Sequence, residues 1–438
     1  MYQFKVFADL ALLVLFLLVL TASNNAKISA THASKETSNE DSYTTALEHT
    51  TIVDKELQLA LQQAVASYFN KAIAATEVVG AGVSIVHGEH VLLADGFGIR
   101  NNRTGKKVDG QTVFRLGSLS KGFTGMLAAD LKHEGKLAWE DRVSDCITEF
   151  ELGDRENTEN ITLAHLLSHT SGAPYHSYTN LVEAGLSLDK IASRFAAVEP
   201  ISKPGEMYSY QNALFALSGA MMERVTGEAI TTSLEERFFK PLEMCATTMD
   251  FDLLKKTENT AKPHIKSRQG WSSERLTDSY YNAVAAGGIN SNAEDMAKWM
   301  QFLLGHRPDI MSEAALQEAF TPYIEIPGKQ KYYQRWPGHT ASYYGLGWRI
   351  HTYKTDKAEV ESTIWHHGGS VNHFRNEIAV FPEEDLGICV LLNSPSKIAQ
   401  RVITDLYTIV QEVFRVHTST MPLNQSAGIA QPSGSTGR

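Results

Sequence analysis

The stretch Phe114-Arg-Leu-Gly-Ser-Leu-Ser-Lys121, continued by Gly-Phe-Thr-Gly-Met-Leu127, decides how the rest of the chain is interpreted. It predicts the end of an extended segment, a glycine turn, and a helix that begins at Ser118. The apolar residues that follow are three and four positions apart, the period of a helix with one buried face. They are Phe123, Met126, Leu127 and Leu131. Ser118 and Lys121 therefore lie on one face of this helix, within reach of each other.

Ser118 and Lys121 are suited to nucleophilic catalysis. A serine hydroxyl is a poor nucleophile until a nearby base takes its proton. A lysine that has lost its hydration can be that base, because its pKa falls toward neutrality. The spacing S-x-x-K occurs in catalytic motifs for this reason. A helix N-cap serine followed by a solvated lysine gives the same pattern, so other parts of the chain have to decide between the two.

The composition is that of an ordinary globular protein. The chain has 438 residues, of which 43% are hydrophobic and 21% charged, and its net charge is −10. No block of lysines and arginines is present, which argues against nucleic acid or an anionic membrane surface as a partner. Cys146, Cys245 and Cys389 allow at most one disulfide, and Cys389 is expected to be a small core residue.

The N-terminal residues predict export. Residues 10–22 carry no charge, follow Lys5, and precede a polar stretch that begins at Ser23. Such a run matches the apolar core of a signal peptide and is shorter than the ~20 residues that cross a bilayer. We therefore expect a signal peptide at residues 1–22 and a periplasmic or extracellular protein; an uncleaved N-terminal anchor is the alternative. Residues 23–51 are expected to be a flexible linker and residues 418–438 a disordered tail.

Hydrophobic periodicity predicts an α+β fold. An apolar stripe from Ile52 to Ile73 indicates a helix, and residues 118–305 indicate mostly helix and loop. The other predicted elements are hairpin strands at 83–86 and 91–94, helices at 164–172 and 294–304, strands at 344–353, 362–365, 374–381 and 386–392, and a final helix capped by Ser394. The turn Pro382–Asp385 joins the last two strands as a hairpin.

Short turns between neighbouring strands indicate an antiparallel sheet of about five strands. The N- and C-terminal helices would cover one face of this sheet. We expect a single catalytic domain at residues 52–417, with a sheet lobe at 52–116 and 335–417 and a helical lobe at 117–334. The Ser118 helix would lie at the boundary between the lobes, where sites are usually found.

Three motifs in order now resemble a known family. Ser118-Leu-Ser-Lys121, Tyr210-Gln-Asn212 and His367-Gly-Gly369 are similar to the three motifs of class C β-lactamases and of the D,D-peptidases and esterases related to them. The resemblance extends over residues 53–414 and implies the α/β/α sandwich of the β-lactamase and transpeptidase type. The flanking stretches that resemble the family are Leu166–Gly172, Ala285–Ile289 and Glu377–Asn393.

The resemblance also implies roles for individual residues. Ser118 would be the nucleophile that forms an acyl-enzyme, and Lys121 and Tyr210 would share the role of base, with the first proton acceptor left open. Asn212 would hold Lys121 and a substrate amide. The oxyanion would lie between the backbone N–H groups of Ser118 and Ser370. Gly368 and Gly369 would belong to the same substrate-binding strand.

The third motif departs from the family pattern. The β-lactamases and peptidases usually have Lys-Thr-Gly, whose lysine faces the substrate carboxylate. Here His367 takes the place of that lysine, and a histidine is mostly neutral at pH 7. This departure resembles the esterase and aminopeptidase-like branches. It argues against efficient β-lactam hydrolysis and leaves acyl transfer intact.

Other residues near the motifs have alternatives. His165 and His169 are four apart and could ligate zinc, but no third ligand is in place, so we expect no metal and a structural role. Residues that could line the cleft or belong to solvated loops are His366, Asn372 and His373, with Tyr175 and His176 as weaker candidates at its rim.

The sequence thus predicts an exported serine hydrolase that needs no cofactor and acts on small esters or D-amino-acid peptides, including those of the cell wall. A true β-lactamase is the alternative within the enzyme class. A catalytically silent binding protein with the same fold is the alternative from another class. The oligomeric state cannot be read from the sequence.

Overall fold

The computed structural model describes residues 40–354 and 361–420, with side chains for 55–354 and 361–417. The strands are β1 Gly80–His87, β2 His90–Gly98, β3 Phe114–Arg115, β4 His264–Ser267, β5 Gly270–Ser273, β6 Asn290–Ser291, β7 Ile324–Glu325, β8 His339–Tyr344, β9 Arg349–Tyr353, β10 Ser362–Val371, β11 Phe374–Phe381 and β12 Leu386–Leu392. Within the described ranges, eight of them form one antiparallel sheet in the order β2-β1-β12-β11-β10-β9-β8-β7. The fold is α+β as expected, with more strands than the five predicted.

The N-terminal hairpin completes a sheet whose centre comes from the end of the chain. β1 pairs with β2 on one side and with β12 on the other, with Ile85 opposite Ile388. All residues of β12 are buried, and so are all of β1 except His87. Because helices cover both faces here, these strands are continuous apolar runs rather than alternating ones. The turns predicted at Gly88 and at Pro382–Asp385 are both present.

The helices are α1 Glu40–Ala74, α2 Ser120–His133, α3 Val143–Cys146, α4 Arg155–Asn160, α5 Leu163–Leu167, α6 Thr179–Glu183, α7 Leu188–Arg194, α8 Asn212–Thr226, α9 Ile230–Leu234, α10 Phe251–Lys256, α11 Val284–Gly287, α12 Ala293–Leu303, α13 Glu313–Ala319 and α14 Val402–Thr420. Helix α1 begins at Glu40 rather than at Ile52, so residues 40–51 are helical where a flexible linker was expected. The predicted signal peptide, the start of that linker and residues 421–438 lie outside the described residues.

The last helix begins later than predicted. Ser396 rather than Ser394 caps the chain, by accepting a hydrogen bond from the backbone N–H of Ile398 at 3.2 Å. This cap opens a 3₁₀ turn at Lys397–Gln400, and α14 follows from Val402. The predicted apolar face is retained, since Val402, Leu406 and Val410 are fully buried.

The two terminal helices cover one face of the sheet as expected. Leu61, Val65 and Phe69 of α1 belong to the same buried apolar cluster as Leu406 and Val410 of α14. The Tyr68 hydroxyl also donates a 2.6 Å hydrogen bond to Asp405 of α14. From Leu61 onward, the described residues belong to one compact unit.

Helix α2 packs directly against the turn between β8 and β9, where one strand was predicted at 344–353. Gly347 has a φ of +85°, a left-handed conformation that ends β8 and turns the chain into β9. A Cβ on Gly125 of α2 would lie 2.0 Å from the carbonyl oxygen of Leu346, and a Cβ on Gly347 would lie 2.3 Å from that of Lys121. Glycine on both sides therefore brings the helix and the turn into backbone contact.

None of the helices between residues 40 and 420 that the structure describes is both long enough and apolar enough to cross a membrane. The three cysteines are free, and Cys389 is buried in β12 as expected.

Candidate active site

Ser118 lies on a tight turn that enters α2. Residues Gly117–Leu119 form one turn of 3₁₀ helix, and α2 begins at Ser120, two residues after the predicted start. Gly117 has a φ of +57°, and a Cβ there would lie 2.9 Å from backbone atoms of Ser370. Because only glycine fits this conformation and this space, the serine turn can lie directly against β10.

Lys121 follows Ser118 by one helical turn and is completely buried. Its Nζ lies 3.3 Å from Oγ of Ser118, 2.8 Å from Oδ1 of Asn212 and 2.7 Å from the carbonyl oxygen of Ala286. Burial, with a smaller effect of the charge on Arg349, holds the pKa of Lys121 well below its ordinary value. A neutral amine has two hydrogens and one lone pair. The two acceptors can take the hydrogens, which leaves the lone pair facing Ser118.

Tyr210 approaches Ser118 from the loop before α8. Its hydroxyl donates a hydrogen bond of 2.9 Å to Oγ of Ser118, and its ring packs against that of His169 with centroids 4.1 Å apart. Burial raises the pKa of Tyr210 to about 12, although the charge on Arg349 opposes this effect. At neutral pH Tyr210 is therefore a phenol that donates toward Ser118 rather than a phenolate.

Asn212 is the first residue of α8 and joins two sides of the site. Its Oδ1 accepts from Lys121, and its Nδ2 donates to the hydroxyl of Tyr280 at 3.0 Å. The segment Ala285–Ile289, whose sequence resembles the family, supplies backbone carbonyl acceptors to side chains of α2. Ala285 accepts from the Thr124 hydroxyl and Ala286 from Lys121. The first two sequence motifs thus meet within hydrogen-bond distance.

The glycines of the third motif lie where the serine turn meets the sheet. A Cβ on Gly369 would lie 2.1 Å from the carbonyl oxygen of Leu116, so this strand residue also needs glycine. Gly368 and Ser370 line the same cavity as Ser118. The predicted oxyanion residues are therefore brought together, although Gly369 packs beneath the turn and is not among the lining residues.

His367 is not among the residues that line the cavity, and its hydrogen bonds go to Tyr344 and Gly368 rather than to Ser118 or Lys121. Its side chain is completely buried, its Nε2 is 2.9 Å from the hydroxyl of Tyr344, and its Nδ1 is 2.8 Å from the carbonyl oxygen of Gly368. Burial, followed by the charges of Arg349 and Lys121, lowers the pKa of His367 well below its ordinary value. The ring is therefore neutral, and it holds the carbonyl group of a cavity-lining residue.

A second buried histidine completes this arrangement. His169 accepts from the backbone N–H of Gln211 through Nδ1, and its Nε2 lies 3.2 Å from the hydroxyl of Tyr344. These contacts fix both rings: Nε2–H of His169 donates to Tyr344, and Tyr344 donates to Nε2 of His367. The chain of bonds thus connects the backbone of Gln211, next to Tyr210, with the third motif.

The cavity in front of Ser118 has a volume of about 310 Å³. The residues that line it are Ser118, Tyr175, His176, Thr179, Glu183, Tyr208, Tyr210, Asn212, Tyr280, Lys331, Tyr332, Tyr333, Arg349, Gly368, Ser370 and Arg375. Tyrosine rings form much of the wall, and three of the lining side chains are cations. Tyr175 and His176, the weaker candidates from the sequence, are both among the lining residues.

Arg349 lines this cavity from the first position of β9. Its Nε and Nη1 are buried and have no hydrogen-bond partner among the described residues. Its guanidinium carbon lies 5.0 Å from the centroid of the Tyr333 ring. Arginine stays charged at any functional pH, so a permanent positive charge faces the cavity even though His367 is neutral.

Glu377 is the centre of a buried polar network under Gly368. Its Oε2 accepts from the hydroxyl of Tyr332 at 2.7 Å and from Nε2 of His366 at 2.8 Å, and Nη2 of Arg375 lies 2.6 Å from its Oε1. Burial raises the pKa of Glu377 to about 7, and Arg375 opposes this effect. Arg375 and Tyr332 both line the cavity, so this carboxyl group fixes part of its wall.

The network continues away from the cavity through three more side chains. Nδ1 of His366 is 3.1 Å from Nε2 of His351, Nδ1 of His351 is 2.9 Å from Oγ of Ser342, and this oxygen is 2.7 Å from Nε2 of His339. His339 and His351 line a second cavity of about 310 Å³, next to α14. With Glu377 ionised and the histidines neutral, every donor points toward Glu377.

The remaining candidates from the sequence do not line the cavity and lie in structural positions instead. His366 belongs to the buried network. Asn372 and His373 form the β10–β11 turn, with φ values of +46° and +65°. Helix α5 ends at Leu167, before the predicted Gly172, because His169 takes a left-handed conformation with a φ of +60°. His165 and His169 are therefore not on one helix face, and no three His, Cys, Asp or Glu side chains of the described residues are grouped as metal ligands.

Sequence reasoning missed Arg349, Tyr332 and Glu377. The first two carry no local motif, since a single arginine after Trp348 and a tyrosine in a polar loop are ordinary. Glu377 had a usable signal, because it is a carboxylate within the apolar strand from Phe374 to Phe381. Buried carboxylates are rare unless they are paired.

The sequence model of the family described as Beta-lactamase matches residues 65–410. The chain belongs to the beta-lactamase family. The match covers the strands of the large sheet and the three motifs, so the resemblance inferred from the sequence is confirmed.

Individual relatives of this beta-lactamase family member are distant. Protein flp of Staphylococcus aureus strain MW2 is 25% identical over 362 residues, which cover 80% of this chain and 66% of the relative. The unguisins hydrolase ungD' of Aspergillus campestris is 27% identical over 342 residues, which cover 76% of this chain and 61% of the relative. The chain thus spans less than two thirds of the length of these curated relatives.

A solved structure is similar in fold. The octameric penicillin-binding protein homologue from Pyrococcus abyssi has a TM-score of 0.65 and 25% sequence identity, covering 78% of this chain and 76% of that chain.

Proposed function

We propose that this chain is a serine hydrolase that forms an acyl-enzyme on Ser118. The observation that carries the proposal is the surroundings of Lys121. Two acceptors, on Asn212 and Ala286, occupy two directions around Nζ, and Oγ of Ser118 lies in a third at 3.3 Å. A buried amine with this set of neighbours and a lowered pKa is suited to take a proton from a serine.

The proposed acylation step uses three groups in turn. Ser118 Oγ attacks the substrate carbonyl carbon, and its proton passes to Lys121. The hydroxyl of Tyr210 donates to Oγ as negative charge develops, and the backbone N–H groups of Ser118 and Ser370 bind the oxyanion. The leaving group then takes this proton from Lys121 and departs as its bond to the carbonyl carbon breaks. Water, deprotonated by Lys121, next attacks the acyl-enzyme, and Oγ of Ser118 leaves with the proton returned by Lys121.

This proposal assigns the base, which the sequence left open. The pKa of Lys121 is lowered and that of Tyr210 is raised to about 12 by burial. At neutral pH the amine can accept a proton, and the phenol can only donate one. His367 has a positioning role in this scheme, through its bond to the carbonyl oxygen of Gly368.

Small esters and D-amino-acid peptides are the proposed substrates. The cavity of about 310 Å³ is at the lower limit of small-molecule sites. A relative named as a hydrolase and a similar structure titled as a penicillin-binding protein homologue favour acyl transfer. β-Lactam hydrolysis is the second candidate, since Arg349 supplies a permanent charge in place of the family's lysine.

The test combines labelling of the serine with rate assays. A fluorophosphonate probe is expected to add one adduct on Ser118, which the intact mass and a peptide map of the protein reveal. Ser118→Ala should abolish the label, and the control Ser193→Ala, at an exposed serine, should retain it. Absence of labelling in the intact, folded protein would favour a silent binding protein of the same fold.

The rate assays distinguish the substrates. A short-chain p-nitrophenyl ester, a D-alanyl dipeptide and a chromogenic cephalosporin are compared at equal concentration, with Ser118→Ala as the background. We expect turnover of the ester or the dipeptide and slow turnover of the cephalosporin. Fast cephalosporin turnover would make the chain a β-lactamase in practice.

Export is a separate proposal, based on the uncharged residues 10–22. Expression of the full chain in a bacterium and N-terminal sequencing of the periplasmic or secreted protein would test it. Cleavage between residues 20 and 30 supports a signal peptide. Recovery of the intact N-terminus in the membrane fraction would support an uncleaved anchor.

A further inference from the structure

The second cavity, which His339 and His351 line, lies against α14. Its volume of about 310 Å³ equals that of the Ser118 cavity. The large apolar and aromatic side chains of its wall are Trp336, Tyr353, Ile364, Phe381, Ile403 and Tyr407. A concave and mostly apolar wall with a few polar groups is typical of small-molecule sites.

Most polar atoms of this wall are already bonded to the protein. Nε1 of Trp336 donates to the carbonyl oxygen of Gln400 at 3.0 Å. The hydroxyls of Tyr353 and Tyr407 donate to Oε1 of Glu384 at 3.0 and 2.6 Å. The two threonines that line the cavity donate to carbonyl oxygens one helical turn earlier, at 2.8 and 2.9 Å. These residues therefore offer a ligand their carbon surfaces, which suit an apolar ring.

The buried line of hydrogen bonds that starts at Glu377 supplies the polar part of the cavity. Nη2 of Arg375, 2.6 Å from Oε1 of Glu377, favours the ionised carboxylate. His366 then donates to this carboxylate through Nε2. A neutral imidazole has one donor and one acceptor nitrogen. Nδ1 of His366 is therefore an acceptor and takes the hydrogen on Nε2 of His351.

His339 is the far end of this line. Nδ1 of His351 accepts from the hydroxyl of Ser342 at 2.9 Å, and the Ser342 oxygen accepts from Nε2–H of His339 at 2.7 Å. Burial lowers the pKa of His339, so this ring is neutral as well. Nδ1 of His339 is therefore left as an acceptor, on a half-buried side chain that lines the second cavity.

The charges around the cavity favour a neutral ligand. Lys354 lines it but is exposed, and its Nζ lies 3.8 Å from a carboxylate oxygen of Glu361. The charge of Lys354 thus has a partner already. A carboxylate ligand would place its own lone pairs against the acceptor nitrogen of His339. A hydroxyl on an apolar ring instead supplies the hydrogen that this nitrogen can accept.

We propose that this cavity is a second binding site of the protein and takes a small phenol, whose ring lies among the aromatic side chains and whose hydroxyl donates to Nδ1 of His339. The hydroxyl adds a fifth hydrogen bond to the line that ends at Glu377. The inference is independent of the proposed acyl transfer, because Ser118, Lys121 and Tyr210 are not among the residues that line this cavity.

Phenol and pyridine test the inference. Their rings are equal in size, but phenol can donate a hydrogen bond and pyridine can only accept one. Ligand-observed NMR titrations measure both affinities at about pH 8, where phenol is neutral and the pH is above the pKa of Glu377. We expect phenol to bind the intact protein at least about tenfold more tightly than pyridine. Equal affinities, or no binding of phenol, would overturn the inference.

Glu377→Gln gives a readout that an apolar cavity alone would not show. The side-chain amide keeps an acceptor oxygen for Arg375 and presents N–H groups to His366. The hydrogen bonds of the line then reverse, and Nδ1 of His339 becomes a donor. We expect the ratio of phenol affinity to pyridine affinity to fall at least about fivefold. An unchanged ratio in the folded variant would contradict the role of the line.

Two variants of the wall locate the site. Thr404→Trp, at a half-buried position of α14, fills the cavity and should abolish phenol binding. His339→Phe removes the acceptor and should abolish the preference for phenol. His90→Phe, at an exposed histidine of β2, is the matched control and should bind phenol as the unsubstituted protein does. Circular dichroism and thermal unfolding verify that each variant is folded. Phenol binding that persists in Thr404→Trp would place the ligand elsewhere and refute the site.

Discussion

At the scale of single residues, the protonation state of Lys121 is the property that the proposed acyl transfer depends on. Its pKa is lowered by burial, so the fraction of neutral amine grows as the pH rises through that lowered value. We expect kcat/KM for a neutral ester to rise through neutral into mildly alkaline pH. A pH–rate profile measures this, and an optimum near pH 5 would contradict Lys121 as the base.

The variant that isolates this effect is Lys121→Arg. Arginine keeps the charge and cannot give up its proton, so we expect kcat/KM to fall by about 10²- to 10⁴-fold. Lys136→Arg, at an exposed lysine after the end of α2, should retain the activity of the unsubstituted protein. If both variants are equally active, the base lies elsewhere.

Glu377 gives a second residue-scale prediction, this time for stability. Its pKa is raised by burial to about 7 in the folded protein, above its unfolded value. Between the two values the folded state holds a proton that the unfolded state has released, so this group makes stability fall as the pH rises to about 7. The effect is on the order of 3 kcal/mol.

Urea unfolding of the protein and of Glu377→Gln at several pH values measures this contribution. The difference between their pH slopes isolates Glu377 from the buried histidines, whose lowered pKa values act in the opposite direction below about pH 6.5. Glu412→Gln, at an exposed carboxylate on α14, should give the slope of the unsubstituted protein. An unchanged slope in Glu377→Gln would show that the carboxyl group titrates at its ordinary pKa.

The sequence could predict Ser118, Lys121, Tyr210 and Asn212 because their spacing and residue types express the chemistry itself. It could not predict Arg349, whose environment depends on where β9 stops pairing with β10. His367 also shows that the sequence does not reveal the environment of a side chain. Its place in the third motif could be read from the sequence, but only the fold reveals that its ring turns to Tyr344 and to its neighbour's carbonyl group.

At the scale of elements, the contact between α2 and the β8–β9 turn depends on glycine. A Cβ on Gly125 would lie 2.0 Å from the carbonyl oxygen of Leu346. We expect Gly125→Ala to destabilise the protein by about 1–3 kcal/mol, even though alanine favours a helix by about 1 kcal/mol. It should also lower activity, since Lys121 lies on the same helix.

Urea unfolding of this variant tests the packing. Gly135→Asn is the control, because nothing lies within 4 Å of an added Cβ there and asparagine tolerates the φ of +71°. We expect the control to change stability much less than Gly125→Ala. If Gly125→Ala were more stable than the unsubstituted protein, the β8–β9 turn would be able to shift at little cost in free energy.

Elements with a strong local pattern were predicted well, and those fixed by distant contacts were not. The hairpins at Gly88 and at Pro382–Asp385 follow from turn residues. The break at Gly345–Trp348 was not predicted, although Gly345 and Gly347 are a local signal for a turn within the run from Tyr344 to Tyr353. The turn forms there because α2 lies against it. Helix α5 likewise ends early because the His169 ring is bonded in the site.

At the scale of the whole molecule, α14 and the part of α1 from Leu61 onward share one buried apolar layer on the sheet. Leu406 is completely buried in this layer. We expect Leu406→Ala to cost about 2–5 kcal/mol of unfolding free energy, because the cavity can fill only in part. The measurement is the midpoint of urea unfolding. Leu253→Ala, at a leucine that is 52% exposed, is the control, and an equal loss in both would contradict this packing.

The α+β class and the covering helices could be predicted because apolar periodicity records which faces are buried. The number of strands could not. β7 has only two residues, and β8 is short and partly exposed, so their sequences are hardly different from loops. They become strands because β9 gives β8 an edge to pair with, and β8 in turn gives one to β7.

The line of side chains from His339 to Glu377 has one more consequence. A β-sheet has almost no net dipole, since its strands alternate in direction. Here four hydrogen bonds in series all point the same way across it. Their dipoles add, and each bond polarises the next. The sheet thereby acquires a net dipole from its side chains. The positive end of this dipole points at the carboxylate of Glu377, beneath the cavity.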